Sequence, residues 1–330
     1  MPPASPRAGL LINRNARGNR KTPGFERRAR YLLDDDFAIV RATSSVDEVD
    51  GVLREFASAN VNELAVSGGD GTIHYLYSRW LTLFGPEKPV PPLLVLGDGG
   101  MNMLFNDVGL AGSPDGVLVR WAEIFEEGRT PRRVQRNLIE VRFDGGDPVY
   151  CFTFTDGFIA RFVLKYLETD GGPAETTKMI LRFVADAVTR PEQAYNQWYK
   201  PLEAAYHSSE GVTPGGETLT AQTFCVASTI QTLILGFQLF EYPPRTGSHM
   251  GFMTYRTDNL YKTAASLPLV MWGRGRLRNW GDEIHLRQFG PRSLRIENCG
   301  LTVIDGEPYE TGRLRTCELT LGPTVDITVV

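Results

Sequence analysis

Residues 63–80 read ELAVSGGDGTIHYLYSRW, an apolar run followed by a glycine-rich turn and then a helical pattern. The turn, Ser67 to Thr72, surrounds the carboxylate of Asp70 with bare backbone. Glycine lacks the Cβ that would block a close approach, and the amino end of a helix favours anions. A strand that ends in this turn and continues into a helix is therefore suited to phosphate. The alternative is a tight strand-to-helix turn capped by Asp70, because a single short motif is weak evidence.

A second glycine-rich turn lies within residues 96–109, which read LGDGGMNMLFNDVG. It has the same context of strand, turn and helix as SGGDGT. Neither turn is the GxxxxGK[ST] motif of P-loop proteins or the GxGxxG motif of dinucleotide-binding proteins. Ligands of open parallel sheets bind in the crevice at the carboxyl ends of the strands. We therefore expect the two turns to converge on one crevice.

The chain around these turns alternates between strand and helix patterns, which is typical of a parallel sheet with flanking helices. We predict an α/β domain over residues 1–133. Its predicted strands are residues 8–13, 37–41, 63–66 and 91–97, and its predicted helices are residues 25–33, 44–59, 71–84 and 101–110.

From about Val134 the pattern changes to short stretches of alternating apolar residues, which predict strands. We predict a β-rich domain over residues 134–330, whose last strand can return to the first domain. A helical interruption is expected between Ala160 and Tyr206, and residues 210–217, EGVTPGGE, predict a surface loop. The predicted strands lie in residues 137–143, 149–158, 219–229, 293–305 and 317–330.

Composition excludes several classes of protein. The 330 residues are 42% hydrophobic and 22% charged with a formal net charge of -4, which is typical of a globular protein and gives no general reason to bind nucleic acid. The four cysteines are far apart and show no CxxC spacing. The longest apolar stretch, residues 226–240, is shorter than the roughly 20 residues that cross a bilayer. We expect a reduced, cytoplasmic protein that can contact a membrane peripherally.

Residues 303–309, VIDGEPY, bring Asp305 and Glu307 close together near the end of the chain. Taken alone, the DG pair predicts a β-hairpin turn.

Together, the motifs NRNARGN (residues 13–19), SGGDGT, LGDGGMNMLFNDVG and IDGEPY (residues 304–309) occur in an order that resembles the diacylglycerol kinase catalytic-domain family. This family includes bacterial diacylglycerol kinases and the sphingosine and ceramide kinases. The resemblance implies an NAD-kinase-like α/β domain whose loops hold ATP, a β-rich domain that contributes to the lipid site, and an active site in the cleft between them. GGDGT is shared with the NAD kinases, whereas the late DGE favours the lipid kinases.

The resemblance also implies roles for particular residues. Asp305 and Glu307 would stand at the phosphoryl-transfer centre, with Asp305 favoured as the base and Asp70 as the other candidate. Asp70 and Glu307 would lie near Mg²⁺. The nucleotide-binding residues would be Asn13, Arg17, Thr43, Gly68, Gly69, Asp70, Gly71, Thr72, Gly99, Gly100 and Asn102.

Two positions depart from the family pattern. The second loop of the family usually reads GT followed shortly by N and often D, whereas this chain has Gly100 at the threonine position and Met103 after Asn102. A lost hydroxyl contact to phosphate could be replaced by a backbone N–H.

A lipid acceptor needs an apolar pocket or a surface that meets the membrane. The candidate linings are three phenylalanines, Phe152, Phe154 and Phe158, and residues 233–240, although such residues mostly fill cores. Residues 266–280 mix tryptophan with arginine and could dock on anionic lipid or pair locally.

We therefore expect an ATP- and Mg²⁺-dependent kinase of diacylglycerol, ceramide or a sphingoid base, acting at the membrane surface without nucleic acid. The alternatives are an NAD kinase and an inactive relative that binds nucleotide or lipid. Whether the protein is a homodimer is left open.

Overall fold

The computed structural model describes residues 7–33, 37–85, 87–169, 173–198, 206–212, 224–233, 238, 240–257, 284–309 and 313–330. The chain divides into two compact units, residues 1–136 with 324–330, and residues 137–323. Strand β5 (Arg132–Phe143) therefore begins in the first unit and continues into the second. Strand β14 (Arg315–Val329) begins in the second unit and ends in the first.

The first unit is built on a parallel sheet. Strand order is β2, β1, β3, β4 and the end of β14, and each neighbouring pair in this order is parallel. Buried side chains fill these strands, which is expected where helices cover both faces of a parallel sheet. The strands are β1 (Ala8–Asn13), β2 (Ala38–Thr43), β3 (Glu63–Ser67) and β4 (Leu93–Val95).

The helices of this unit turn apolar stripes toward the sheet. In α3, for example, Val49, Leu53 and Phe56 recur at helical spacing and are buried. The predicted α/β class with helices flanking a parallel sheet is confirmed. The helices are α1 (Arg17–Lys21), α2 (Phe25–Leu32), α3 (Asp47–Ser58), α4 (Asp70–Phe84), α5 (Met103–Asp107) and α6 (Pro114–Glu126).

Helix α6 was not predicted, although its start carries a clear signal. The hydroxyl of Ser113 accepts a hydrogen bond from Gly116 N at 3.2 Å, and Pro114 stands at the first helical position. Both features are preferred at helix amino termini.

The second unit is strand-rich, as predicted. One antiparallel path runs β13, β12, β7, β9, β10, β11 and the first part of β14, with β8 paired to β11 and β6 paired to β5. The strands are β6 (Val149–Cys151), β7 (Thr153–Gly157), β8 (Tyr206–Val212), β9 (Phe224–Ser228), β10 (Gly251–Thr257), β11 (Ile284–Cys299), β12 (Thr302–Ile304) and β13 (Glu307–Pro308).

The predicted helical interruption consists of α7 (Phe158–Leu167), α8 (Pro173–Thr189) and α9 (Pro191–Trp198). The predicted surface loop at residues 210–217 is wrong at its start, because the backbone of Glu210–Val212 continues β8 and pairs with β11. Residues 213–217 lie outside the described residues, as do residues 234–237, 239 and 266–280 of the predicted lipid-binding segments.

Phe152, Phe154 and Phe158 are buried at 3%, 0% and 2% exposure, so in this structure they belong to the packed interior of the second unit. All four cysteines are buried and free. In the described ranges, no helix is both long and apolar enough to cross a membrane.

Candidate functional site

Three turns of the first unit meet at one edge of its sheet. They follow β1, β3 and β4, and β3 lies between the other two with parallel pairing on both sides. Parallel pairing places the carboxyl ends of the three strands at the same edge. The predicted convergence of the two glycine-rich turns is therefore found, and the first turn joins them.

Two glycines bring the turns after β3 and β4 into direct contact. A Cβ built on Gly99 would lie 2.5 Å from the Cα of Gly69, and one built on Gly69 would lie 3.0 Å from the Cα of Gly99. Any side chain at either position would have to displace backbone. The bare backbone of SGGDGT thus serves turn-to-turn packing, and it also leaves peptide groups that an anion could approach.

The turn after β1 is tied to the turn after β3 by Asn13. Its Nδ2 donates to Thr72 Oγ1 at 2.9 Å, and its Oδ1 accepts from Asn15 N at 2.9 Å. Thr72 also leaves no room for a side chain at Gly68, because a Cβ on Gly68 would lie 2.5 Å from Thr72 Oγ1. The predicted nucleotide residues of these two turns therefore form one hydrogen-bonded group.

Asp70 connects the turn after β3 to the helix after β4. It is buried in the first turn of α4, and its carboxylate accepts hydrogen bonds from Met103 N at 3.2 Å and Leu104 N at 3.3 Å. These are amino-terminal N–H groups of α5. Burial raises the pKa of Asp70, and the backbone hydrogen bonds oppose that rise. Asp70 thus acts as a cap of α5 across the turns.

Asn102 shapes the second glycine-rich turn. It adopts a left-handed backbone conformation with φ of 50°, and its amide both accepts from Gly99 N and donates to Gly97 O, each at 2.7 Å. Gly100 is exposed at the outside of this turn.

Asp98 also takes part in the site, although the sequence analysis did not select it. Its backbone oxygen accepts from Gly18 N at 2.8 Å, and its carboxylate accepts from the hydroxyl of Ser67. A Cβ on Gly18 would lie 2.6 Å from Asp98 Oδ1. Burial raises the pKa of Asp98, and the Ser67 hydroxyl opposes the rise. Asp98, in the turn after β4, therefore contacts both the end of β3 and the start of α1.

A sequence signal for Asp98 was available. Asp98 stands between two glycines in the turn after a predicted strand, as Asp70 does, so the same pattern that indicates Asp70 also indicates Asp98. Asn19 was likewise missed; its Nδ2 donates to Asn13 O at 2.7 Å and to Ser67 Oγ at 2.9 Å.

Two other predicted nucleotide residues lie beside the first turn. Thr43 ends β2, is buried, and its backbone oxygen accepts from Arg14 N at 2.9 Å. Arg17 is half-buried at the start of α1. The neighbouring Arg14 forms an ion pair with Glu26 at 2.9 Å, so its guanidinium is already engaged with a carboxylate.

In the second unit, Asp305 and Gly306 form the tight turn of the hairpin between β12 and β13. Both have positive φ, 46° and 85°, as expected for a type I′ turn, and Ile304 pairs with Glu307 across it. The hairpin that the DG pair predicts is confirmed.

The carboxylate of Asp305 is buried and held by the chain. It accepts from Phe152 N at 2.9 Å, from Thr153 N at 2.8 Å and from Thr153 Oγ1 at 2.8 Å. Glu307, two residues on, is only half-buried, and burial raises its pKa. The two acidic residues of the motif therefore have different environments.

The turns fit a phosphate group, because glycine backbone lies beside the amino end of α4, where the N–H groups of a helix favour anions. Within the described part of the chain, no group of three or more His, Cys, Asp or Glu side chains is arranged to hold a metal ion. This is compatible with Mg²⁺, which is usually bound through one or two carboxylates together with substrate phosphates.

Comparison with known proteins finds a family model that matches part of the first unit. Residues 7–130, which contain the three turns, match the family model described as the diacylglycerol kinase catalytic domain. No curated protein sequence matches the chain.

Three solved structures from Bacillus anthracis str. Sterne have a similar fold over 98% of this chain and 97% of theirs, with TM-scores of 0.62, 0.59 and 0.63 and identities of 11%, 12% and 12%. One is named a diacylglycerol kinase, and the other two carry that name as a provisional assignment. At these identities the likeness concerns the fold alone. The protein has the two-part fold of these structures. The family model that residues 7–130 match is the one that the motifs of the sequence predict.

Proposed function

We propose that this protein is a lipid kinase that transfers the γ-phosphoryl group of ATP to the hydroxyl of a membrane lipid, either diacylglycerol or ceramide or a sphingoid base. One observation carries the proposal. The glycine turns after β3 and β4 touch at Gly69 and Gly99, inside the segment that matches the family model. Such a contact leaves backbone N–H groups near the amino end of α4, where phosphate is favoured.

The nucleotide residues proposed for this site are those that the turns bring together. Asn13 and Thr72 fix two of the turns against each other, and Asn102 fixes the third. Gly68, Gly69, Gly71, Gly99 and Gly100 would offer backbone to the phosphates. Arg17 and Thr43 are proposed to approach the nucleotide from the first turn and from the end of β2.

Mg²⁺ would offset the charge of the triphosphate and help align it for transfer. Asp70 is the carboxylate of the turns proposed to lie near the ion. Its carboxylate also accepts hydrogen bonds from the backbone N–H groups of Met103 and Leu104, which fix its position.

The acceptor hydroxyl also needs a group that takes its proton. We assign this role to Glu307 instead of Asp305, which the resemblance favours, because three donors already hold the Asp305 carboxylate. Glu307 is less buried, and its raised pKa brings it closer to the working pH of a general base. The active site in a cleft between the domains, on which this assignment depends, stays a prediction from the resemblance.

Transfer of radiolabelled γ-phosphate tests the proposal. The protein is incubated with ATP and Mg²⁺ and with mixed micelles of diacylglycerol, ceramide or sphingosine, with soluble NAD assayed in parallel. Label in one lipid that disappears when Mg²⁺ is chelated would support the proposal and name the acceptor. Label in NAD alone would show that the protein is an NAD kinase. Label in no acceptor would leave the proposed activity without support.

A further inference from the structure

Helix α8 carries an apolar face on its outer side. Phe183 is 1% exposed and marks the side packed against the rest of the second unit, with its ring 5.2 Å from that of Phe158. Leu181 and Val188, seven residues apart, are 64% and 62% exposed. Residues that are seven apart lie on the same face of a helix. The outward face is thus centred on two large aliphatic side chains.

The apolar surface extends beyond these two residues. Ala185 lies between them on the same face and is exposed, and Ile180 and Val184 are half-buried. Leu167, at the end of the preceding helix α7, is 48% exposed. A surface helix usually places charged and polar residues opposite its buried side. Helix α8 has aliphatic residues there instead, which marks an interaction surface.

Cations border the apolar face on one side. The side chains of Lys178 and Arg182 are 70% and 73% exposed, whereas their partner carboxylates on the same helix, Glu175 and Asp186, are 30% and 21% exposed. Ion pairs at such exposed positions are weak. An approaching surface would therefore meet the ammonium and guanidinium groups before it met the carboxylates.

We propose that this face of α8, with Leu181 and Val188 at its centre and Lys178 and Arg182 at its edge, docks on the surface of an anionic lipid membrane. Aliphatic side chains that enter the interface and cations that meet acidic headgroups are the two attractions that hold peripheral helices on membranes. The chain has a net charge of -4, so a local cationic edge is needed for contact with an anionic surface. The inference deepens the proposed function, because a kinase of a membrane lipid has to meet the bilayer.

Sedimentation with vesicles tests the proposal on the full chain. Vesicles of phosphatidylcholine mixed with phosphatidylglycerol are compared with pure phosphatidylcholine, in the absence of ATP. The wild-type protein is expected to bind the mixed vesicles, and Leu181→Glu is expected to lower the partition coefficient by about tenfold or more. Lys178→Gln combined with Arg182→Gln is expected to weaken binding to the mixed vesicles and to leave any binding to pure phosphatidylcholine unchanged.

Leu314→Glu is the matched control, since Leu314 is 61% exposed and lies at the start of the segment leading into β14, away from helix α8 in sequence. Its binding should equal that of the wild type, and thermal unfolding should show that both glutamate variants are folded. Equal binding by Leu181→Glu and the wild type, or no binding by the wild type, would overturn the proposal. A wild-type dimer that Leu181→Glu dissociates, without vesicle binding, would also overturn it and assign the face to a second copy.

Vesicle binding needs no turnover, so it separates the docking surface from the kinase activity. Leu181→Glu should still phosphorylate a short-chain acceptor dissolved in water and should lose activity on long-chain lipid in vesicles. Vesicle binding that depends on Leu181, in a protein that phosphorylates no lipid, would uphold the surface and reject the proposed function.

Discussion

Gly69 and Gly99 face each other at the carboxyl edge of the parallel sheet, so close that a Cβ on Gly99 would lie 2.5 Å from the Cα of Gly69. The contact joins the turn that precedes α4 to the turn that precedes α5. Neither position has room for a Cβ, which explains why both residues are glycine. The contact also places the two turns side by side at the candidate nucleotide site.

Gly99→Ala should destabilise the protein by about 1–3 kcal/mol, because its new Cβ would force two backbone segments apart. The measurement is the free energy of unfolding in denaturant. Gly51→Ala is the matched control, because Gly51 is exposed within α3 and a Cβ there would meet nothing within 4 Å. The control should gain up to about 1 kcal/mol from its higher helix propensity. Equal stability of the two variants would contradict the packing described here.

The hydrogen bond from Asn13 to Thr72 should appear as a coupling between the turns after β1 and β3. We expect an interaction energy of about 1 kcal/mol from a double-mutant cycle with Asn13→Ala and Thr72→Val. The cycle is needed because Asn13 also accepts from Asn15 N. Strictly additive unfolding energies would show that the two turns are not joined through this pair.

The buried carboxylate of Asp156, on β7, should make the stability of the protein depend on pH. It is fully buried, and its Oδ1 accepts from Thr302 Oγ1 at 2.9 Å, whereas its Oδ2 has no hydrogen-bond partner among the described residues. Burial raises the pKa of Asp156 from 3.8 to about 7, against opposing effects that include Thr302 and two arginines.

Between these two pKa values the folded state binds more protons than the unfolded state, so Asp156 lowers stability as the pH rises through this window. The loss amounts to at most about 4 kcal/mol. Asp156→Asn removes the titration. Its free energy of unfolding, measured from pH 4 to pH 8, should exceed that of the wild type at the upper end, with the difference shrinking toward the lower end. A difference that does not vary with pH would contradict the raised pKa.

The two acidic residues of the hairpin should respond differently to loss of charge. Glu307→Gln should abolish phosphoryl transfer and leave thermal stability nearly unchanged, because none of the described residues forms a hydrogen bond or an ion pair with its carboxylate. Asp305→Asn should lower stability by about 1–3 kcal/mol, because two backbone N–H groups lose part of their acceptor. The rate of phosphoryl transfer and the melting temperature are measured for both variants. Normal turnover in Glu307→Gln would reject it as the proton acceptor.

Gly100→Thr should tighten nucleotide binding. Gly100 is exposed, and its φ is outside the left-handed region, so the backbone conformation there does not require glycine. Threonine is the usual residue of the family at this position, and its hydroxyl would add a contact to phosphate worth about 1 kcal/mol, or roughly fivefold in affinity. A weaker affinity in the variant would show that the turn does not face the phosphates in this way.

Much of the first unit could be predicted from the sequence because β1, β3 and β4 are largely apolar runs and two of them, β3 and β4, end in glycine-rich turns. The predicted strand at residues 8–13 has the same bounds as β1. Helix α3 begins at Asp47, slightly later than the predicted start near Ser44 or Ser45, because residues 44–46 form a bend in which the N–H of Ser44 donates to Glu48 Oε2 at 2.8 Å.

The site was harder to predict because its hydrogen bonds join residues that are far apart in the sequence. Asp98, Ser67 and Asn19 meet only when three turns from distant parts of the chain come together. Likewise, the burial of the Asp305 carboxylate by backbone N–H groups of Phe152 and Thr153 cannot be inferred from local pattern. In contrast, the DG pair did predict its hairpin, because a type I′ turn depends only on the residues within it.

Calorimetric titration with ATP and Mg²⁺ tests whether the touching turns at Gly69 and Gly99 hold the phosphates of ATP. We expect saturable binding by the wild type and by Gly51→Ala, and binding by folded Gly99→Ala that is weaker by about tenfold or more. Thr72→Val, which leaves the glycine contact in place, serves as a second variant and should also bind more weakly. Wild-type affinity in folded Gly99→Ala and in Thr72→Val, or no binding by the wild type, would show that these turns do not hold the phosphates.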